Sequence, residues 1–300
     1  MIKIGLALSG GGIKAFSQLP VLATLAKEKI NIDAISGTSM GSVIAALFAS
    51  GVTAEDVMQA ALDLEKEIED KKIMKRPSMK LLPFSKEKLT GGFVDGQDLE
   101  DVLEAKLIEL GVEHIRDVKI PLAITAVDVI TGKKIMFVSH PEDYVNKDTD
   151  TIVITDISLA KAVRASCSFP FVIAAMEYED YLLVDGGLRQ NLPLEPLYNY
   201  GVDKTIAVTM HSTSEFHDTN SLVALGIRVM DIMRIEADQE IVHQADVHIN
   251  VPLDKVWVFE IGKGKYTIDQ GAHAISEHID QLKGLTKPES FMDKLRRKFK

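Results

Sequence analysis

Twice in its first fifty residues the chain passes from a short apolar run through a glycine-rich turn into a helical pattern. Ile2–Leu8 is almost continuously apolar, stops at Gly10-Gly11-Gly12, and leads into a stripe of Ala15, Leu19, Leu22 and Leu25 that predicts a helix over Ile13–Lys29. Ile32–Ser36 begins the pattern again, followed by Gly37-Thr38-Ser39-Met40-Gly41 and a helix over Val43–Ser50 that Gly51 can cap. Strands covered on both faces read as unbroken apolar runs, and strand–turn–helix units in series wind into a right-handed parallel sheet. Pro20 falls inside the first predicted helix and is expected to kink it.

Thr53–Asp70 is an amphipathic helix with Thr53 placed as its N-cap, Lys71–Gly92 reads as loop, and Gln97–Leu110 is a further helix. Strands are expected at Ile120–Val127, Lys134–Val138, Tyr181–Val184, Lys204–Thr209 and Val247–Val251, with helices at Ile157–Ser166, Leu222–His243 and Thr267–Leu282. The expected architecture is a three-layer α/β/α fold with a mainly parallel central sheet. Residues 1–210 would form the core, 53–112 a helical insertion over the site, and 211–300 a C-terminal extension packed on the same domain.

A net charge of −10 argues against general nucleic-acid binding, which wants a basic face. Cys167 is the only cysteine, so an internal disulfide and a cysteine-rich metal site are both excluded. No run of about 18 apolar residues occurs and the N-terminal run ends too soon for a signal peptide. The expected setting is cytoplasmic, with peripheral contact at the inner membrane surface as the variant. No cluster of His, Cys, Asp or Glu has metal-ligand spacing, so no metal or other cofactor is expected.

The turn Gly37-Thr38-Ser39-Met40-Gly41 fits Gly-x-Ser-x-Gly, a pattern that puts a serine on a sharp strand-to-helix turn with its hydroxyl exposed. The backbone N–H groups of Gly10-Gly11-Gly12 sit where a helix N-terminus can hold an anion. GGGIKA lacks the Gly-Lys-Ser/Thr ending of a phosphate loop, and Ala15 stands where a dinucleotide fingerprint has its last glycine, a place where alanine is allowed. Asp33 lies the right distance on for a ribose acid but opens the second strand instead of ending it. An oxyanion hole suits the glycines better than a nucleotide site, because a candidate nucleophile ends the next strand. None of the eight histidines lies in a glycine-rich turn after a strand, whereas Asp185-Gly186-Gly187 does, at the same sheet edge as Ser39.

Gly10-Gly11-Gly12, Gly37-Thr38-Ser39-Met40-Gly41 and Asp185-Gly186-Gly187, in this order, resemble the bacterial patatin-like phospholipases. Thr125–Asp128 with Thr131-Gly132, Arg164–Pro170 and the run DGGLRQNLP from Asp185 to Pro193 agree, so the resemblance spans roughly residues 2–210. It implies a Ser–Asp dyad without histidine, with Ser39 as nucleophile, Asp185 as general base, and Gly10, Gly11 and Gly12 as the oxyanion hole, chiefly through the N–H groups of Gly11 and Gly12. Lys14-Ala15 stands where the family usually has Arg-Gly, and Ser42 where it often has Gly or Ala. Lys14 keeps the charge but not the planar fork. The implied substrate is a lipid or other acyl ester. A short-acyl esterase or thioesterase, a weakly active regulatory protein on the same fold and a dinucleotide binder are the alternatives.

Two basic–apolar segments interrupt the acidic chain. Residues 71–88 hold seven basic side chains and one acid among Met74, Met79, Leu81, Leu82 and Phe84, and residues 291–300 hold five basic side chains and one acid. Such segments either lie solvated or rest on an anionic membrane surface. Residues 291–300 read as a solvated basic tail, and residues 71–88 as either a solvated loop or a lid or lipid-contact segment that would make peripheral membrane contact.

Overall fold

Strand β1 (Ile4–Leu8) lies between β2 (Ala34–Thr38) and β8 (Lys204–Thr209), parallel to both. The computed structural model of the chain describes residues 2–75, 91–212, 215 and 222–287. Beyond β2 come β3 (Leu122–Asp128, parallel), β4 (Lys134–Val138, antiparallel to β3) and β5 (Thr151–Ile154, parallel to β4). Strand β9 (Val247–Asn250) extends the other end, parallel to β8. The mainly parallel sheet read from the sequence is therefore present.

Side chains alternate across this sheet, and the two faces differ in size. Leu6, Leu8, Ile35, Leu122, Ile124, Ile206 and Val208 point to one core, while Ala7, Ala34, Ala123 and Ala207 point to the other. The core on the bulky face is built with α1 (Leu19–Lys27), α2 (Met40–Ala49), α3 (Ala54–Asp70), α4 (Gln97–Glu109), α5 (Leu159–Ser166) and α8 (Gly264–Ser276), of which α3 and α4 pack on the other helices. The alanine face lets α6 (Glu195–Asn199) sit close: a Cβ on Gly5 would stand 3.0 Å from Leu197. Val242, at the end of α7 (Leu222–Val242), shares that second core. Helices thus flank both faces, as the three-layer reading expects.

Some local expectations change. Residues 12–18 form a 3-10 turn, and α1 starts after it with Pro20 in its first turn. A missing N–H costs nothing there, so Pro20 marks a helix start and does not kink one. The helix expected over Thr267–Leu282 is two, α8 and α9 (Ile279–Gly284), because the chain turns at Glu277-His278, where the His278 N–H bonds Ile275 O at 3.0 Å. Strands β5, β6 (Met176–Tyr178) and helix α6 were too short to leave a periodic signal. Thr53 caps α3 as expected, its Oγ1 accepting the Asp56 N–H at 3.1 Å. At the start of the basic segment Ile73 is buried while Lys71 and Lys72 are exposed. The rest of that segment, from residue 76, and residues 291–300 lie outside the described residues.

One further pairing positions the chemistry. Strand β7 (Tyr181–Asp185) runs antiparallel to β3 along the same edge that β2 occupies, and ends where β2 ends. Thr38 is opposite Thr125, and Asp185 is opposite Ala126, the next residue of β3. Two strands travelling in opposite directions therefore meet end to end, carboxyl end to carboxyl end. Asp128 secures the join: its carboxylate accepts the Leu182 N–H at 3.0 Å while also closing its own turn through Thr131.

Candidate active site

Ser39 follows β2 directly and precedes α2. Its backbone has φ 53° and ψ −131°, a left-handed conformation that costs a non-glycine residue roughly 1–3 kcal/mol and persists only when the surroundings impose it. Those surroundings are identifiable. A Cβ on Gly37 would come within 2.5 Å of Gly41 O, and one on Gly41 within 2.5 Å of Leu8 O. Both neighbouring positions therefore need glycine for close approach. The Ser39 N–H donates to Ser166 Oγ at 2.8 Å, and Ser39 O accepts from the Ser42 hydroxyl at 2.6 Å.

Asp185 stands across the join. It is 2% exposed; Oδ1 accepts the Gly187 N–H at 2.8 Å, and Oδ2 has no hydrogen-bond partner. Burial raises its pKa to about 6, against the opposing pull of the neighbouring Ser39 hydroxyl, the Gly187 N–H and the Arg234 guanidinium. Gly186 lets this turn lie on β3, because a Cβ there would be 2.3 Å from Thr125 Oγ1. The turn is held further by Thr38 Oγ1, which donates to Gln190 O at 2.9 Å.

The triple glycine ends β1 beside Ser39; a Cβ on Gly10 would be 3.0 Å from Ser39 Cβ. Its N–H groups divide into two kinds. That of Gly10, expected in the oxyanion hole, is instead taken up by Asn191 O at 3.3 Å, and that of Ile13 donates to Val258 O at 2.9 Å. Those of Gly11 and Gly12 have no partner among the described residues. Gly12 has φ 54°, and a Cβ there would collide with Val258 O at 2.1 Å. Gly11, Gly12, Ser39 and Asp185 all open onto one narrow cavity of about 70 Å³. Its remaining walls are mostly apolar, among them Ile68, Leu99, Phe169 and Phe259.

The structure thus brings together Ser39, Asp185 and the glycine loop, with Gly37, Gly41, Gly186 and Gly187 as the positions that permit the close packing. Lys14 is placed differently. It lines a neighbouring cavity of about 320 Å³ with Asp231 and Arg234, and burial lowers its pKa, partly offset by Asp231. No described histidine lines the cavity of Ser39. Residues the sequence did not single out also converge here. Ser166, Cys167 and Asn191 lie within the segments that carry the resemblance, but nothing in their spacing assigns them a task. Arg234 and Asp238 come from α7, where no motif marks them.

No helix among the described residues is long and apolar enough to cross a membrane. An NTE family protein of Mycobacterium tuberculosis is 28% identical over 211 residues, which is 70% of this chain and 50% of that protein. The chain therefore spans about half the length of that relative. YqhO of Bacillus subtilis is 26% identical over 195 residues, covering 62% of this chain and 64% of its own. Among solved structures, VipD from Legionella pneumophila superposes with a TM-score of 0.51 at 13% identity, over 93% of this chain and 67% of VipD, a likeness of fold alone. The family model for patatin-like phospholipases matches residues 6–198, a stretch that holds the glycine loop, the serine turn and the aspartate turn, and the chain belongs to that family.

Proposed function

We propose that the protein is a serine lipid acyl hydrolase that works through a Ser39–Asp185 dyad. The observation that carries this reading is the buried Asp185 carboxylate, with one oxygen unpartnered, beside a serine held in a strained turn at an apolar cavity. Ser39 Oγ attacks the acyl carbonyl carbon as Asp185 takes its proton. The carbonyl oxygen becomes an oxyanion in reach of the Gly11 and Gly12 N–H groups, each donor contributing on the order of 10²–10³ in rate. Collapse breaks the ester C–O bond, and Asp185 returns the proton to the departing alcohol. Water, deprotonated by Asp185, then attacks the acyl-enzyme and releases the carboxylic acid.

An aspartate of ordinary pKa is a weak base for a hydroxyl, and the upward shift to about 6 improves the match. Asp185 must be ionised to act, so turnover should fall as the pH drops through about 6. A fluorophosphonate probe should label Ser39, located by peptide mass spectrometry, and Ser39→Ala should abolish both labelling and ester hydrolysis. Asp185→Asn should lose at least roughly 10³-fold in kcat while remaining folded. Full activity in either variant removes the dyad.

A short-acyl esterase is the second reading, favoured by the cavity volume of about 70 Å³, well under the roughly 300–1,000 Å³ of pockets that enclose drug-sized ligands. A chain-length series of p-nitrophenyl esters separates the two: kcat/KM rising beyond about eight carbons supports the lipid reading, and a maximum at two to four carbons supports the other.

A further inference from the structure

Asn191 occupies the seam between the two glycine turns of the site. Its Oδ1 lies 2.8 Å from where a Cβ on Gly10 would stand and 3.3 Å from the corresponding point on Gly187, and its backbone O accepts the Gly10 N–H. Its amide is held from the far side by Asp238 of α7. Asn191 Nδ2 donates to Asp238 Oδ2 at 2.7 Å, and the Leu192 N–H donates to Oδ1 at 3.0 Å. A carboxylate only accepts, so Asp238 dictates which end of the amide faces it and turns Oδ1 toward Gly10. His211 Nε2 lies 3.0 Å from the same Oδ2. One turn earlier on α7, Arg234 Nη1 donates to both Gly10 O and Asn191 Oδ1 at 3.4 Å, and Nη2 pairs with Asp231 at 2.8 Å.

Resting on the dyad reading, we propose that Asp238 and Arg234 are positioning residues, which set the Gly10–Gly12 loop against Ser39 by fixing the Asn191 amide. Three observations support it. Asp238 is fully buried, and among the described residues its carboxylate hydrogen-bonds Asn191, Leu192 and His211. A buried carboxylate is expensive unless satisfied, and here its contacts secure the strip of chain between the acid turn and α6. Helix α7 also lies outside residues 6–198, so the site draws support from a part of the chain that the family match does not reach.

The test uses the full chain and a soluble p-nitrophenyl ester. Asp238→Asn presents an amide to an amide and to the Leu192 N–H; unless the Asn191 amide flips, two donors meet. The expected result is a fall in kcat of roughly 10–100-fold with KM changed less than about threefold, since an ångström of misplacement costs about that much. The exchange Asn191→Asp with Asp238→Asn reverses donor and acceptor and should recover at least tenfold. Arg234→Met supplies a second readout. The titratable groups facing Asp185 are Arg234 from α7 and Cys167 from the end of α5, with Asp231 paired to Arg234. Removing the guanidinium should move the acid limb of kcat/KM to higher pH, which a merely structural loss would not do.

A folded Asp238→Asn variant within threefold of the parent kcat overturns the proposal, as does a folded double exchange with no recovery. If Asp238→Asn does not fold, an Arg234→Met profile with unchanged kcat and unchanged acid limb overturns it instead. A parent protein that neither turns over esters nor takes the fluorophosphonate label fails the dyad reading itself, a different result from variants that match an active parent.

Discussion

Helices α3 and α7 are both long, and they use their faces in opposite ways. In α3, Val57, Ala60, Ala61, Leu64 and Ile68 are buried and the charged side chains mostly face water. In α7, Asp238 is fully buried and Arg234 mostly so, while Leu225, Val229, Ile232 and Met233 are about half exposed or more. Helix α3 follows the hydrophobic pattern because its task is to pack on the neighbouring helices α1, α2 and α4, and burial of apolar area drives that. Helix α7 turns polar groups inward because the loops beneath it offer donors and acceptors that need partners. Mutations at Val57, Ala60, Ala61 and Leu64 of the first, away from the site cavity that Ile68 lines, should change stability with little effect on chemistry; on the inward face of the second the order should reverse.

The largest expected effect belongs to the core helix. Leu64→Ala should lower stability by roughly 2–5 kcal/mol in denaturant melts, with kcat of the folded fraction unchanged. A comparable loss of kcat in fully folded protein would break the contrast. Next comes the site's own cost to stability. Asp185 is an acid with its folded pKa raised to about 6, so the folded state holds its proton more tightly than the unfolded chain. Stability therefore carries no penalty below about pH 4, declines as pH rises from about 4 to 6, and stays lowered above that. Asp185→Asn should accordingly gain on the order of 3 kcal/mol at pH 8 and nothing at pH 3.5, as read from paired melts. A gain independent of pH would assign the effect to something other than ionisation.

Smaller effects sharpen the same comparison. Thr53→Ala removes the oxygen that accepts the Asp56 N–H and should cost about 1 kcal/mol without touching kcat. Ile232→Gln on the outward face of α7 should shift stability by less than about 0.5 kcal/mol, despite removing a large apolar side chain. A loss of several kcal/mol there would mean that this face is covered when the protein folds.

Much of the frame was legible because it rests on local rules. Apolar runs marked β1 and β2, the Thr53 cap and 3.6-residue spacing marked α3, and glycines marked the turns at 10–12, 37–41 and 185–187. Their order along the chain was enough for the family resemblance. Pro20 misled because a proline tolerated in a first turn looks the same in sequence as one that breaks a helix. Strands β5 and β6 were missed because three or four residues carry no period.

By itself the sequence determined that two parallel strands would end in glycine turns at one sheet edge, and that a serine and an aspartate would occupy such turns. Tertiary structure alone decided that those turns meet. The meeting depends on β7 running antiparallel to β3 and taking over the edge where β2 stops, and a strand's direction is not written in its own five residues. The raised pKa of Asp185 likewise comes from groups distant in sequence that exclude water from it. The roles of Arg234 and Asp238 arise only when a helix more than forty residues further along packs over Asn191. Periodicity reports how a segment meets water; it is silent about which polar groups will find one another once water is gone.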